Sequence, residues 1–200
     1  MSSALHEERL DAVVRELLEC RATCVLDLGC GSGELLLKLA QHPQFVRIVG
    51  IDIDERALDD ARLALGLGLP GMADRVQVRY GSFEEADREF YGFDAAALVE
   101  TLEHIDPGRL SRVERAVFSD MRPNIVLVTT PNQEYNVLHG MAPGQTRHPG
   151  HRFEWNRARF RQWAQGVAAR NNYETRFLDI GERDPLRGSS TQLARFKLLS

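Results

Sequence analysis

Short apolar runs alternate along this chain with segments whose apolar positions recur at helical spacing. Leu5, Leu10, Val13, Val14, Leu17 and Leu18 fall on one helix face, which predicts an amphipathic helix over residues 4–19. Thr23–Gly29 then reads as a buried strand that stops at glycine. A helix over Glu34–Gln41 and a second strand over Phe45–Asp52 follow, and Asp54 is placed to cap a helix running to Leu65. Further strands are expected at Val76–Tyr80, Phe93–Val99 and Asn124–Thr129, with a helix over residues 107–119 before the last of them. From Pro131 to Glu154 no period is visible, and a stretch that long is rarely an idle connection. Helical spacing returns over Asn156–Arg170 through Phe160, Trp163 and Val167, and strands at Tyr173–Ile180 and Leu193–Leu198 close the chain.

Strand–helix alternation with compact apolar strands predicts an α/β fold, a parallel sheet covered by helices on both faces. Residues 1–200 fit one domain, with residues 131–155 as its active-site loop. No apolar run approaches the ~18 residues of a membrane span, and the start lacks the layout of a secretory signal, so a cytoplasmic protein with no membrane partner is expected. Three cysteines, Cys20, Cys24 and Cys30, make neither a disulfide framework nor a zinc spacing. Net charge is −4, which argues against a polyanionic partner, yet from Gly140 onward eleven basic residues face five acids. That segment is either a polyanion-binding patch or a solvated arginine-rich surface.

The first chemical signal is Val25-Leu26-Asp27-Leu28-Gly29-Cys30-Gly31-Ser32-Gly33. Glycines between a strand and a helix let the backbone turn sharply and approach a ligand. Dinucleotide enzymes use such a loop too, but their pattern wants a small residue where Glu34 stands. Asp27 beside the loop is a poor neighbour for a pyrophosphate and suits the cationic sulfonium and amine of S-adenosylmethionine. Asp52, at the end of the second strand, is placed to accept from both hydroxyls of an adenosine ribose. Ser82 and Phe83 follow the third strand, where an adenine would be met.

The second signal is Glu100-Thr101-Leu102-Glu103-His104 at the end of the fourth strand. A helix turn beginning near Glu100 would put Glu100, Glu103 and His104 on one face. Two carboxylates and an imidazole meeting at the end of a sheet repel one another unless a cation joins them. The alternative is a solvated acidic turn. The dense segment Arg147-His148-Pro149-Gly150-His151-Arg152-Phe153-Glu154-Trp155 adds His151 as a candidate fourth ligand, with Phe153 and Trp155 as core anchors or base-stacking surfaces.

The glycine loop and the strand ending in Asp52 resemble the first two motifs of the class I, Rossmann-like S-adenosylmethionine methyltransferases. The Glu100–His104 motif and the His148–Trp155 segment resemble the Hua Enhancer family of small-RNA 3′-terminal ribose 2′-O-methyltransferases. The resemblance implies a seven-stranded, mostly parallel sheet with an antiparallel last strand. It implies a divalent metal, magnesium or manganese, on Glu100, Glu103, His104 and His151. The position before the last histidine, acidic in that family, is Gly150 here. The expected cofactor set is Asp27, Gly29, Gly31, Asp52, Ile53, Ser82, Phe83 and Val99, with His104, His148 and His151 as candidate proton acceptors. The partners implied are an RNA 3′ end and a protein of an RNA-repair or small-RNA pathway. The chain matches only the methyltransferase domain of such proteins. Rival readings are a metal-free methyltransferase acting on a small molecule or protein, and a cofactor-binding module that transfers nothing.

Overall fold

The computed structural model describes residues 3–67 and 75–200. Strand β1 (Cys24–Leu28) lies at the centre, paired in parallel with β2 (Arg47–Asp52) and β4 (Ala95–Val99). β3 (Val76–Tyr80) extends the sheet beyond β2, and β5 (Ile125–Pro131) beyond β4, again in parallel. β7 (Gly188–Leu198) runs antiparallel between β5 and β6 (Tyr173–Asp184), giving the order β3-β2-β1-β4-β5-β7-β6. Seven strands with an antiparallel last one is the architecture expected.

Each apolar strand serves two cores because successive side chains point to opposite faces. Val25, Ile48, Ala95, Ala97, Ile125 and Leu127 pack with α1 (Ala4–Glu19), α2 (Glu34–Ala40) and α3 (Glu55–Ala64) on one face. Leu26, Val49, Ala96, Leu98, Val126 and Val128 pack on the other face with Val113 of α4 (Leu110–Glu114) and Phe160 and Ala164 of α5 (Arg157–Asn171). Asp54 caps α3 as expected, its Oδ1 accepting from the Arg56 N–H at 3.0 Å. No helix of the described residues is long and apolar enough to cross a membrane.

Three regions depart from the pattern. The expected helix over residues 107–119 is a 3-10 turn (Pro107–Arg109), then α4, then a widened π-helical stretch (Arg115–Met121) ending at Arg122 with φ 49°. β6 and β7 are longer than their apolar cores, running through a register shift between Ile180 and Arg183. Their extension carries Ser189, Ser190, Thr191 and Gln192, which are polar yet buried and so give no apolar signal. The region after Pro131 is also ordered, with Gln133–His139 forming a 3-10 helix. Its base is closed by the Gln133 N–H donating to the Trp155 carbonyl at 3.1 Å and the Asn132 N–H donating to the Ser190 carbonyl at 2.9 Å.

Gly50 couples the β1–β2 core to the loop after β1. A Cβ there would lie 2.5 Å from Leu36 Cδ1 and 2.8 Å from Cys30 Sγ. Gly50→Ala is therefore expected to lower stability by about 1–3 kcal/mol through overpacking, read as the midpoint shift in denaturant unfolding.

Candidate active site

The loop after β1 turns through three glycines in the left-handed region, Gly29 (φ 83°), Gly31 (φ 51°) and Gly33 (φ 83°). Gly29 is also sterically required, since a Cβ there would meet Thr101 Cγ2 at 2.4 Å. The Gly29 and Cys30 N–H groups donate to the Ile51 carbonyl at 2.8 and 3.0 Å, and the Gly31 N–H donates to Asp52 Oδ2 at 2.8 Å. Asp52 Oδ1 accepts from the Asp54 N–H at 2.9 Å, so one carboxylate ties the loop to the start of α3. Asp27 is 2% exposed. Burial, and then the nearby Asp52, push its carboxyl up to about 7.

This loop borders a cavity of about 220 Å³ whose lining includes Asp27, Gly29, Gly31, Val99, Glu100 and Thr101. Four of the expected cofactor residues thus share one space, and Asp52 reaches it through Gly31. Ile53, Ser82 and Phe83 lie outside the lining: Ile53 is 66% exposed, Ser82 Oγ accepts from the Glu84 N–H at 3.2 Å, and Phe83 packs beside Gly29. Sequence reasoning missed His6 and Leu10, which α1 brings to the same cavity, and Thr101, whose buried Oγ1 has no hydrogen-bond partner among the described residues.

At the end of β4 the helical turn starts later than expected. Glu100 has φ 53°, and the 3-10 turn covers Leu102–His104, so Glu100 stands before the turn rather than on its face. Glu100 is held by two elements: Thr129 Oγ1 donates to its Oε1 at 3.1 Å, and Arg9 of α1 pairs with its Oε2 at 3.2 Å. Glu103 is fully buried. Thr130 Oγ1 donates to Glu103 Oε2 at 3.1 Å, while Oε1 has no hydrogen-bond partner among the described residues and lies 4.0 Å from His151 Nε2. Burial raises the Glu100 carboxyl, with Arg9 opposing it. Burial, and then Glu100, raise Glu103 well above the usual carboxylate range.

His104, His148 and His151 gather beside these acids, with potential ligand atoms all within 4.8 Å of one another. Burial, and then His151, lower the His104 pKa. His151 Nδ1 meets Glu154 Oε1 at 2.6 Å, and Glu154 also accepts from the Arg147 N–H at 2.6 Å. Burial pushes Glu154 up, but hydrogen bonds from Asn136, Arg147 and His151 outweigh it and hold the carboxyl low. Glu154 therefore supplies the carboxylate partner that Gly150 does not. The three imidazoles form one close group, Glu103 approaches it at His151 Nε2, 4.0 Å away, and Glu100 joins His148 and His151 on a larger cavity of about 870 Å³. Such a set of carboxylate and imidazole donors, with one buried oxygen unpartnered, could hold a divalent cation.

Residues 25–124 match the methyltransferase-domain family. The methyltransferase domain of a bacterial Hen1 protein, CtHen1, superposes with a TM-score of 0.89 at 41% identity, covering 98% of this chain and 100% of that one. The chain belongs to the HEN1 family of methyltransferases. A mouse small RNA 2′-O-methyltransferase is 38% identical over 78% of this chain and 41% of its own length. An Arabidopsis thaliana protein of the same name is 30% identical over 96% of this chain and 22% of its own length. The chain thus spans less than half of either relative. Its sheet order and glycine loop are those of an S-adenosylmethionine-dependent methyltransferase fold.

The structure decides points that charge and spacing left open. Much of the carboxyl-terminal basic surplus is paired: Arg157 with Glu134 at 2.8 Å, Arg170 with Glu114 at 2.8 Å and Arg195 with Glu16 at 3.2 Å. Phe153 and Trp155 stack on each other with centroids 4.3 Å apart and pack against the α5-side core, so they anchor the loop. Arg9, Arg147 and Glu154 escaped sequence reasoning because ordinary charges on a helix and a loop look solvated. Arg147 is fully engaged inside, donating to Asn136 Oδ1 at 2.6 Å, the Ser190 carbonyl at 3.0 Å and the Asn132 carbonyl at 2.8 Å.

The raised Asp27 pKa has a stability consequence. The folded protein retains a proton on Asp27 that the unfolded chain releases between the ordinary value of 3.8 and about 7. Stability from this group is therefore full at the acid end of that window and falls as pH rises through it. Asp27→Asn removes the dependence. The variant should gain in melting temperature over the unaltered protein as pH rises from about 4 to about 7, with a level difference above that.

Proposed function

We propose that this domain transfers a methyl group from S-adenosylmethionine to the 2′-hydroxyl of the 3′-terminal ribose of RNA, using magnesium or manganese held by Glu100, Glu103, His104 and His151. The observation that carries the reading is Glu103 Oε1, fully buried, without a hydrogen-bond partner among the described residues and 4.0 Å from His151 Nε2. An ionised carboxylate left so is costly, and a cation removes the cost. Relatives named small RNA 2′-O-methyltransferases support the choice of acceptor.

The chain's own groups divide the work. Asp27 becomes ionised when a sulfonium and an ammonium lie beside it, because an opposite charge offsets its burial. Asp52 already accepts one backbone hydrogen on each oxygen, and its remaining lone pairs are open to ribose hydroxyls. Thr101 Oγ1 offers the same cavity one further hydroxyl. Glu154 fixes the ring of His151, and Arg9 fixes Glu100 while donating to Thr191 Oγ1 at 3.1 Å. When bound, the metal supplies positive charge that lowers the pKa of a ribose hydroxyl. Holding donor and acceptor in adjoining cavities accelerates transfer by orientation. The methyl carbon–sulfur bond breaks, a carbon–oxygen bond forms, and the hydroxyl proton is released.

Methyl transfer from labelled donor to a short RNA tests this reading. EDTA should abolish transfer and manganese restore it, and RNA ending in a 2′-deoxy or 3′-phosphate nucleotide should stay unmethylated. Glu103→Gln or His151→Ala should cost on the order of 100-fold or more in turnover, with donor affinity measured by calorimetry near the unaltered value. Chelator-insensitive transfer to a protein or small molecule, with RNA inert, would overturn the proposal.

A further inference from the structure

His148 lies outside the proposed ligand set, and its surroundings give its ring a proton arrangement opposite to that of His151. The Gly150 N–H donates to His148 Nδ1 at 3.0 Å. A backbone amide only donates, so Nδ1 of the neutral ring holds a lone pair and Nε2 carries the proton. At His151 the same nitrogen faces Glu154 Oε1 at 2.6 Å. A carboxylate only accepts, so His151 Nδ1 carries the proton and the Nε2 lone pair turns toward Glu103 Oε1, 4.0 Å away. A metal ion needs a lone pair, whereas a substrate oxygen needs an N–H.

Gly150 makes this arrangement possible. A Cβ at this position would lie 3.0 Å from His148 Nδ1 and 3.1 Å from His104 Nδ1, pressing both rings away from the backbone. His148 is exposed and lines the cavity of about 870 Å³ together with Arg9, His139 and Arg147. Those neighbours are already engaged. Arg9 serves Glu100 and Thr191, Arg147 serves Asn136, Ser190 and Asn132, and His139 Nε2 meets Ser190 Oγ at 2.8 Å. Among the described residues, no acceptor meets His148 Nε2.

We propose that His148 is a substrate-binding residue whose Nε2–H donates to a phosphate or hydroxyl oxygen of the terminal nucleotide, and that it neither ligates the metal nor removes the hydroxyl proton. This assignment rests on the RNA reading above. It turns one of three similar imidazoles into a group that grips the acceptor strand.

The test compares the unaltered chain with His148→Ala and His148→Gln. Manganese affinity is measured by electron paramagnetic resonance titration, and KM and kcat for a short RNA by methyl transfer. His148→Ala should raise the KM for RNA about tenfold or more while manganese affinity stays within about twofold. His148→Gln keeps an N–H near the same reach and should recover most of the lost affinity. An RNA whose last linkage is a methylphosphonate should lose the difference between His148→Ala and the unaltered chain if the oxygen is a phosphate's, and keep it if a hydroxyl's. Loss of manganese binding in His148→Ala would make the residue a ligand. A fall in kcat at unchanged KM, with loss of the acid limb of the pH–rate profile, would make it a base. Unchanged kinetics would make it idle. Each of these three outcomes overturns the assignment. If the unaltered chain methylates no RNA, the functional reading falls first, and the same assay shows it.

Discussion

Glu100 and Glu103 follow β4 inside the protein, and removing ionised carboxylates from water is expensive unless each oxygen finds a partner. Much of the architecture around them answers that demand. Arg9 crosses from α1 to Glu100, Thr129 and Thr130 come from the neighbouring strand β5, and the three imidazoles close the remaining side. One oxygen, Glu103 Oε1, is still without a hydrogen-bond partner among the described residues. The cluster is electrostatically incomplete, and that incompleteness gives a cation a reason to bind there.

The sheet explains why this cluster meets the glycine loop. Strand order reverses between β1 and β4, the place in an open α/β sheet where a crevice forms beyond the carboxyl ends of the strands. β1 delivers Asp27 and the loop to that crevice, and β4 delivers Glu100 and Glu103. The smaller cavity includes Glu100 in its lining, and so does the larger one, so the residue that follows β4 is shared by the two spaces. Helix α1 lies outside the matched family segment yet lines both cavities through His6 and the larger one through Arg9.

The loop after β5 owes its order to polar contacts as well as to apolar burial. Arg147 bonds Asn132, Asn136 and Ser190, and Glu154 bonds Asn136, the Arg147 amide and His151. A stacked Phe153–Trp155 pair pins the same segment to the α5-side core. Cores of this kind position side chains firmly because every buried polar group must keep its partner. The histidines are consequently distinguished by hydrogen bonding: the partner at Nδ1 sets which nitrogen of each ring faces the site.

Elements with a strong hydrophobic period were legible in the amino-acid order. Strands β1 to β5, the helices on both faces, the glycine loop and the acidic and histidine motifs follow from side-chain alternation and from residue types with few structural substitutes. Burial of polar residues was not legible, because Ser189–Gln192, Arg9, Arg147 and Glu154 look solvated until something folds over them. The left-handed turn at Glu100 was hidden for a similar reason, since it depends on the Thr129 hydrogen bond across the sheet. Local order along the chain thus settles what is apolar and which chemistry is present. Which charges become buried, which nitrogen of each imidazole is exposed, and that Glu154 takes the place of an acid at Gly150 depend on contacts between distant segments, because electrostatic partners are chosen by proximity in space.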